Sequence, residues 1–360
     1  MPATPIRTVT IGHAVVPWTY TDDEREYHAL RHEAALFDLN STGLIALPTA
    51  GAQALLRAVV PGDLGSVFPG QSATSLLLDP EGHPLDTVTV YRLRDRWLIE
   101  TAFGRGPDTL AHLISAGAAL DGGGGGAVEP VDVRTEFSTL GLEGPFAWRV
   151  LRELLGDGVT SVPLGGIVHR TWRDAPVLVA RSGYTGEYGY KVFVPPALAD
   201  DLFDAAVAKS AVPAGYRTLE AAMLEVRQPL PHREVGPGDT VLGCGYNWLV
   251  DLDQPDFIGR DAVLAEFKTG PAVRTVGLTM PRGVELPEHA EVSVAGLTIG
   301  RLIHHADSPG LACTLALARI APEWAASGFD WEVAGANGPI PARSVSSPYL
   351  VPLSWSTSIA

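Results

Sequence analysis

The ten residues Arg181-Ser-Gly-Tyr-Thr-Gly-Glu-Tyr-Gly-Tyr190 constrain this chain more than any other stretch. Gly183, Gly186 and Gly189 let the backbone turn tightly and let a planar ligand approach it, while Tyr184, Tyr188 and Tyr190 supply flat faces alongside. Glu187 stands in the middle. A carboxylate fixed on a turn accepts two parallel hydrogen bonds from the N–H edge of an amidine or guanidine. Spacing alone leaves two readings open. The stretch is either the turn of a Gly-rich β-hairpin, between Pro176-Val-Leu-Val-Ala180 and Lys191-Val-Phe-Val194, or a ligand-holding loop.

The same ten residues resemble the R-T-G-Y-T-G-E-x-G-Y/F signature of the glycine-cleavage T-protein (aminomethyltransferase) family, whose members bind tetrahydrofolate. Four further segments agree, in the family's order. Tyr27-His-Ala-Leu-Arg-His-Glu-Ala-Ala-Leu-Phe-Asp-Leu39 is similar to H-x-x-x-R-x-x-A-G-L-F-D-x-S, and Gly82-His-Pro-Leu-Asp-Thr-Val-Thr-Val90 to G-G-x-x-D-D-x-x-V. Gly215-Tyr-Arg-Thr-Leu, followed by Leu224 and Glu225, is similar to G-x-R-A-x-x-x-L-R-x-E, and Trp248-Leu-Val-Asp-Leu-Asp-Gln-Pro-Asp-Phe-Ile-Gly-Arg260 to W-x-V-x-x-x-K-x-D-F-I-G-[KR]. The resemblance runs from about residue 14 to the C-terminus. The sequence departs from the pattern at Thr74 (often tyrosine), at Thr87 (the second acid of the D-D pair), and at Ser41-Thr-Gly (S-H-M). It departs again at Ala222-Met223 (L-R) and Gln254 (lysine). Pro231-His-Arg-Glu234 stands where the family's iron–sulfur-assembly branch has K-G-C-Y-x-G-Q-E, which disfavours that branch.

The resemblance implies an α+β fold. Three domains form a cloverleaf around a central hole, with antiparallel sheets, flanking helices and a C-terminal all-β, barrel-like domain. It places a split folate-binding domain at 1–43 and 131–266, an inserted α+β domain at 44–130 and the β-barrel-like domain at 267–360.

Local patterns agree with that division. Acids at 22–26 followed by Tyr27, Leu30, Ala34 and Phe37 predict an amphipathic helix over 22–37. Residues 74–78 and 87–91 read as strands around the turn Asp79-Pro-Glu-Gly-His-Pro, with a further strand at 97–100 and helices at 49–60 and 109–120. The five glycines 122–126 read as a linker. Helices are expected at 146–155, 197–209 and 218–226, then an irregular loop through Pro229, Pro231 and Pro237, then short alternating strands beyond Phe267.

Composition excludes several classes. A net charge of −15, with no cluster of Lys and Arg, argues against a nucleic-acid partner. Two cysteines, Cys244 and Cys313, are too few for a disulfide framework or a thiolate metal site. His28, His32 and Glu33 lack a third ligand at suitable spacing, and His304-His305 has no support either, so no metal is expected. No apolar run reaches the roughly 18 residues of a membrane span and the first residues lack a signal core, which points to a cytoplasmic protein without a membrane partner. A monomer or weak homo-oligomer is expected.

The resemblance also assigns candidate site residues. Asp86 matches the first aspartate of the D-D pair and is the expected catalytic group, a proton manager beside the pterin N5. Read without the family, it is a turn aspartate capping local N–H groups. Glu187 is the expected clamp for the pterin edge, Tyr184 an aromatic wall and Trp248 a residue near the folate entrance. Arg217, ahead of Arg227, is the expected partner for an anionic carboxylate. Glu100 joins the binding set as the nearest group to take over the proton role from the reduced acid pair. The function implied is transfer of a methyl or aminomethyl unit between a small-molecule donor and tetrahydrofolate, by an enzyme other than the housekeeping T-protein. The alternatives are a folate-binding or regulatory protein without turnover, or a fold-sharing biosynthetic enzyme that no longer uses folate.

Overall fold

The computed structural model describes residues 4–121 and 128–359, so the glycine run 122–126 lies outside the described residues. Strands Arg7–Ile11 and Ala14–Thr19 form an antiparallel hairpin that leads into helix Asp23–His32. Asp22 caps that helix by accepting from the backbone N–H of Arg25 at 2.9 Å, and Asp23, Glu24 and Glu26 place negative charge in its first turn. The helix expected through residue 37 therefore ends earlier. Ala35–Asp38 is a strand paired antiparallel with Ser138–Glu143, because its side chains serve two cores at once. Leu36 enters one core, Ala35 and Phe37 the other, which is a period of two and not of 3.6.

Six strands make the first sheet, in the order Ile167–Trp172, Ala175–Ala180, Gly189–Val194, Ser138–Glu143, Ala35–Asp38 and Val212–Pro213. The hairpin reading of the Gly-rich stretch is correct in its strands, since Leu178 pairs with Phe193 and Ala180 with Lys191. A five-stranded sheet follows the order Gln71–Leu78, Pro84–Arg92, Arg96–Phe103, Thr42–Pro48 and Val131–Asp132. Helices Thr49–Val59 and Gly106–Asp121 cover one face of it through Ile45, Leu47, Leu55, Leu56 and Leu113. Its other face, carrying Leu44, Ala46, Tyr91 and Leu98, packs on Leu178, Ala180 and Phe193 of the first sheet.

Six strands between Arg274 and Val345 close into a barrel around Leu278, Val292, Leu302, Ala318 and Trp331. Helix Tyr216–Val226 stands at the junction, its Leu219 and Met223 sharing a core with Phe103 of the five-stranded sheet, Phe37 of the six-stranded sheet and Leu315 and Leu317 of the barrel. No described helix is long and apolar enough to cross a membrane.

Candidate active site

The alternation of the two facing sheets fixes the chemistry between them. Glu100 follows Leu98 by two residues and so points to the same face, and Lys191 precedes Phe193 by two on the opposing strand. Both are only 1% exposed, and Lys191 Nζ donates to Glu100 Oε2 at 2.5 Å. Tyr91 Oη donates to the same oxygen at 2.6 Å. Tyr184 Oη donates to Glu100 Oε1 at 3.2 Å and accepts from Lys191 Nζ at 2.8 Å, and the ammonium lies 4.0 Å from the Tyr184 ring centroid. Burial, with Glu100 alongside, pushes the Tyr184 and Tyr91 hydroxyls well above the ordinary tyrosine range, so both stay protonated.

Glu100 and Tyr184 of this cluster line a cavity of about 20 Å³ between the five-stranded sheet, the Gly-rich loop and the end of helix Tyr216–Val226, lined also by Thr87, Phe103, Tyr216, Met223 and His232. That volume suits about one water molecule. Tyr216 stacks edge-on against Phe103, with ring centroids 4.6 Å apart, and its hydroxyl lies 3.3 Å from His232 Nε2. His232 Nε2 in turn lies 3.5 Å from Glu220 Oε1, outside the cavity.

Of the residues singled out from sequence, Tyr184 and Glu100 meet at this cavity. The other four stand elsewhere. The Glu187 carboxylate is buried, but it accepts from Arg31 Nη1 (3.1 Å), Leu353 N (3.2 Å), Ser354 N (2.9 Å) and Ser354 Oγ (2.6 Å). Both its oxygens accept from the protein's own donors, which ties the Gly-rich loop to the C-terminal segment. Asp86 is 1% exposed and is not among the residues lining the cavity, whereas its neighbour Thr87 is. Asp86 accepts from Thr109 Oγ1 at 2.6 Å and from the N–H of Ala102 at 3.2 Å, which fastens strand Pro84–Arg92 to helix Gly106–Asp121. Burial raises its carboxyl to about 6.

Trp248 is 59% exposed and does not line the cavity. Arg217 forms an exposed ion pair with Asp23 and lines a groove against the barrel instead. Arg227 is tied to Glu234 and to the carbonyl of Cys244.

The glycines serve the loop itself. A Cβ on Gly183 would fall 2.8 Å from Gly189 Cα, and Gly186 holds a φ of +76°. Glu143, buried beneath, fastens the loop by accepting from the N–H groups of Tyr184 and Thr185.

Two residues of the buried ion pairs escaped the sequence reading. Lys191 carried a signal, a lone charge inside the apolar strand Gly-Tyr-Lys-Val-Phe-Val. Arg31, buried between Glu187 and Glu225 (2.6 Å to Glu225 Oε2), was present in the matched segment 27–39 without an assigned role.

Residues 6–254 match the family described as the GCVT N-terminal domain, and residues 274–350 match the glycine cleavage T-protein C-terminal barrel domain. The aminomethyltransferase of Synechococcus elongatus is 32% identical over 336 residues, covering 90% of this chain and 87% of its own. The aminomethyltransferase of Streptomyces avermitilis is 31% identical over 324 residues, covering 87% and 85%. The crystal structure of the glycine cleavage system aminomethyltransferase T from Bartonella henselae superposes with a TM-score of 0.86 at 23% identity, over 96% of this chain and 94% of that one, which establishes a shared fold. With its three-unit architecture and both halves matched, this chain belongs to the aminomethyltransferase (glycine-cleavage T-protein) family.

Proposed function

We propose that this chain is a specialised transferase that removes a one-carbon unit, methyl or aminomethyl-derived, from a small-molecule donor at the central cavity, and that it is not the housekeeping glycine-cleavage component. The observation that carries this reading is the Glu100–Tyr184 pair at the cavity wall, with Lys191 bonded to both from behind it. When a carbon unit leaves a nitrogen, oxygen or sulfur, the leaving heteroatom needs a proton. Tyr184 is a protonated hydroxyl whose ionisation burial and Glu100 oppose, and the Lys191 ammonium 2.8 Å away offsets part of that cost when the proton is passed on. The balance closes when the acceptor's own proton returns to Tyr184: donor X–CH₃ and acceptor Y–H, a small molecule with a nucleophilic N–H, O–H or S–H, become X–H and Y–CH₃. The family expectation for the acceptor is tetrahydrofolate.

The residues present do not fit that group. The pterin edge is a paired N–H donor that calls for an ionised carboxylate, and Glu187 and Asp86 are bonded within the protein while Glu100 is neutralised by Lys191. Hydroxyls of Tyr184, Tyr216 and Thr87 instead make the wall rich in donors, which suits an acceptor carrying its own oxygen acceptors.

The test is label transfer. Purified protein is incubated with ¹³C-methyl amines, thioethers and aryl ethers, each paired with small-molecule acceptors that bear a nucleophilic N–H, O–H or S–H and oxygen acceptors, and mass spectrometry follows movement of label from donor to acceptor. Loss from one donor class supports the reading, and retention by all of them contradicts it. Thr87, on the cavity wall where the family pattern has an acid, favours a second reading, a ligand-binding protein without turnover, and retention of label would select it.

A further inference from the structure

Lys191 stands out among the buried charges because its position decides what the central cavity can recognise. The inference rests on the reading of that cavity as the ligand site. Among the described residues, Glu100 is the one carboxylate on its wall. Its Oε2 receives both Lys191 and Tyr91, and its Oε1 receives Tyr184. The strand register makes this pairing unavoidable. Ala180 lies opposite Lys191 and Leu178 opposite Phe193, so Lys191 projects from the face that packs on the five-stranded sheet, where Glu100 lies among Leu44, Leu98 and Tyr91. No water shell competes for either charge, because each side chain is 1% exposed. A ligand edge made of two N–H donors therefore meets, at Glu100, a carboxylate whose charge is already taken by an ammonium standing behind the cavity wall.

We infer that Lys191 is a specificity-determining residue: by capping Glu100 it excludes the pterin edge of tetrahydrofolate from the central cavity and selects a ligand that presents oxygen acceptors. Removing the ammonium while keeping the acid should reverse the preference. Lys191→Met preserves most of the side-chain volume and leaves Glu100 ionisable with one face open. In the double variant Lys191→Met/Glu100→Gln the shape is equal and the anion is gone. Charge, and not space, then separates the two.

The experiment is anaerobic calorimetric titration of the full-length protein with tetrahydrofolate up to about 1 mM. Wild-type protein should show no saturable binding. Lys191→Met should bind at least about tenfold more tightly than wild type, the gain that one charge-assisted hydrogen bond provides, and the double variant should lose that gain. Lys191→Gln, which keeps a donor on Glu100 without the charge, serves if the methionine variant melts early, and should show an intermediate gain. Micromolar binding by wild-type protein overturns the inference. So does a folded Lys191→Met or Lys191→Gln with no gain, or a double variant that gains as much as the single one. The label-transfer assay reads donor turnover without added tetrahydrofolate, so the failure of the functional reading is distinguishable from the failure of this one.

Discussion

Glu187 and Ser354 lie 167 residues apart, yet the Glu187 Oε2 atom accepts from both the backbone N–H and the hydroxyl of Ser354, at 2.9 and 2.6 Å. The Gly-rich loop is thereby bolted to the C-terminal segment. Arg31 closes the arrangement from below, reaching Glu187 and Glu225 together, and Ser308 of the barrel donates to Glu225 as well. The six-stranded-sheet unit, the barrel and the C-terminal segment thus converge on one buried charge network.

Glu187→Gln tests that role. The amide oxygen still accepts, but the amide nitrogen cannot, so two of the donors lose their partner and Arg31 loses one of its two charges. A loss of about 2 kcal/mol is expected, the scale of a charge-assisted hydrogen bond, seen as a lower denaturant midpoint with label transfer retained at permissive temperature. An unchanged midpoint would contradict the anchor role.

Asp86 predicts an inverted pH dependence. Its folded pKa is about 6 against an ordinary 3.8, so the fold holds the proton more tightly than the unfolded chain does. The penalty is absent below pH 3.8, grows as pH rises toward 6 and is constant above. In Asp86→Asn that slope disappears. Relative to wild type, the variant should gain up to about 3 kcal/mol between pH 4 and pH 7. Denaturant melts at the two pH values check it, and parallel curves would contradict the assigned burial effect.

His304 predicts the opposite slope. It is buried beside Glu220, Arg233, His232 and His305, its Nε2 has no partner, and burial depresses its pKa to about 4. The fold therefore keeps it neutral, and its contribution, intact above about pH 6.5, is lost as pH falls through 6.5 toward 4. His304→Leu should be less sensitive to acid in that window than wild type, by up to about 3 kcal/mol. Equal acid sensitivity would show that His304 charges without cost.

Much of the architecture was legible in local patterns. Alternation located the strands at 74–78, 87–91 and 97–100, and apolar periodicity located the helices at 147–155 and 199–208. The failures have physical reasons. Ala34 and Phe37 continued a helical spacing, but Ala35–Asp38 is claimed by sheet pairing with Ser138–Glu143, a long-range contact that a local window does not contain. Glu187 stands in an intact motif, while Ser354, which donates to it, is remote in sequence and no local pattern reveals the contact. Asp86 and Thr87 are neighbours, and alternation sends one toward helix Gly106–Asp121 and the other to the cavity. Glu100 and Lys191 become a pair only when two sheets stack, so neither carried a partner that its own strand could reveal.

The central claim is that Tyr184, held between Glu100 and Lys191, supplies the proton at the cavity where a one-carbon unit is moved. Tyr184→Phe removes one oxygen and leaves the ring against Phe103 and Lys191 in place. Single-turnover label transfer, with the donor found active for wild-type protein, measures the step directly. The account predicts a rate lower by about 10²–10⁴-fold, the range for a positioned proton donor, with the melting curve little changed. A Tyr184→Phe protein that transfers label at the wild-type rate would contradict it.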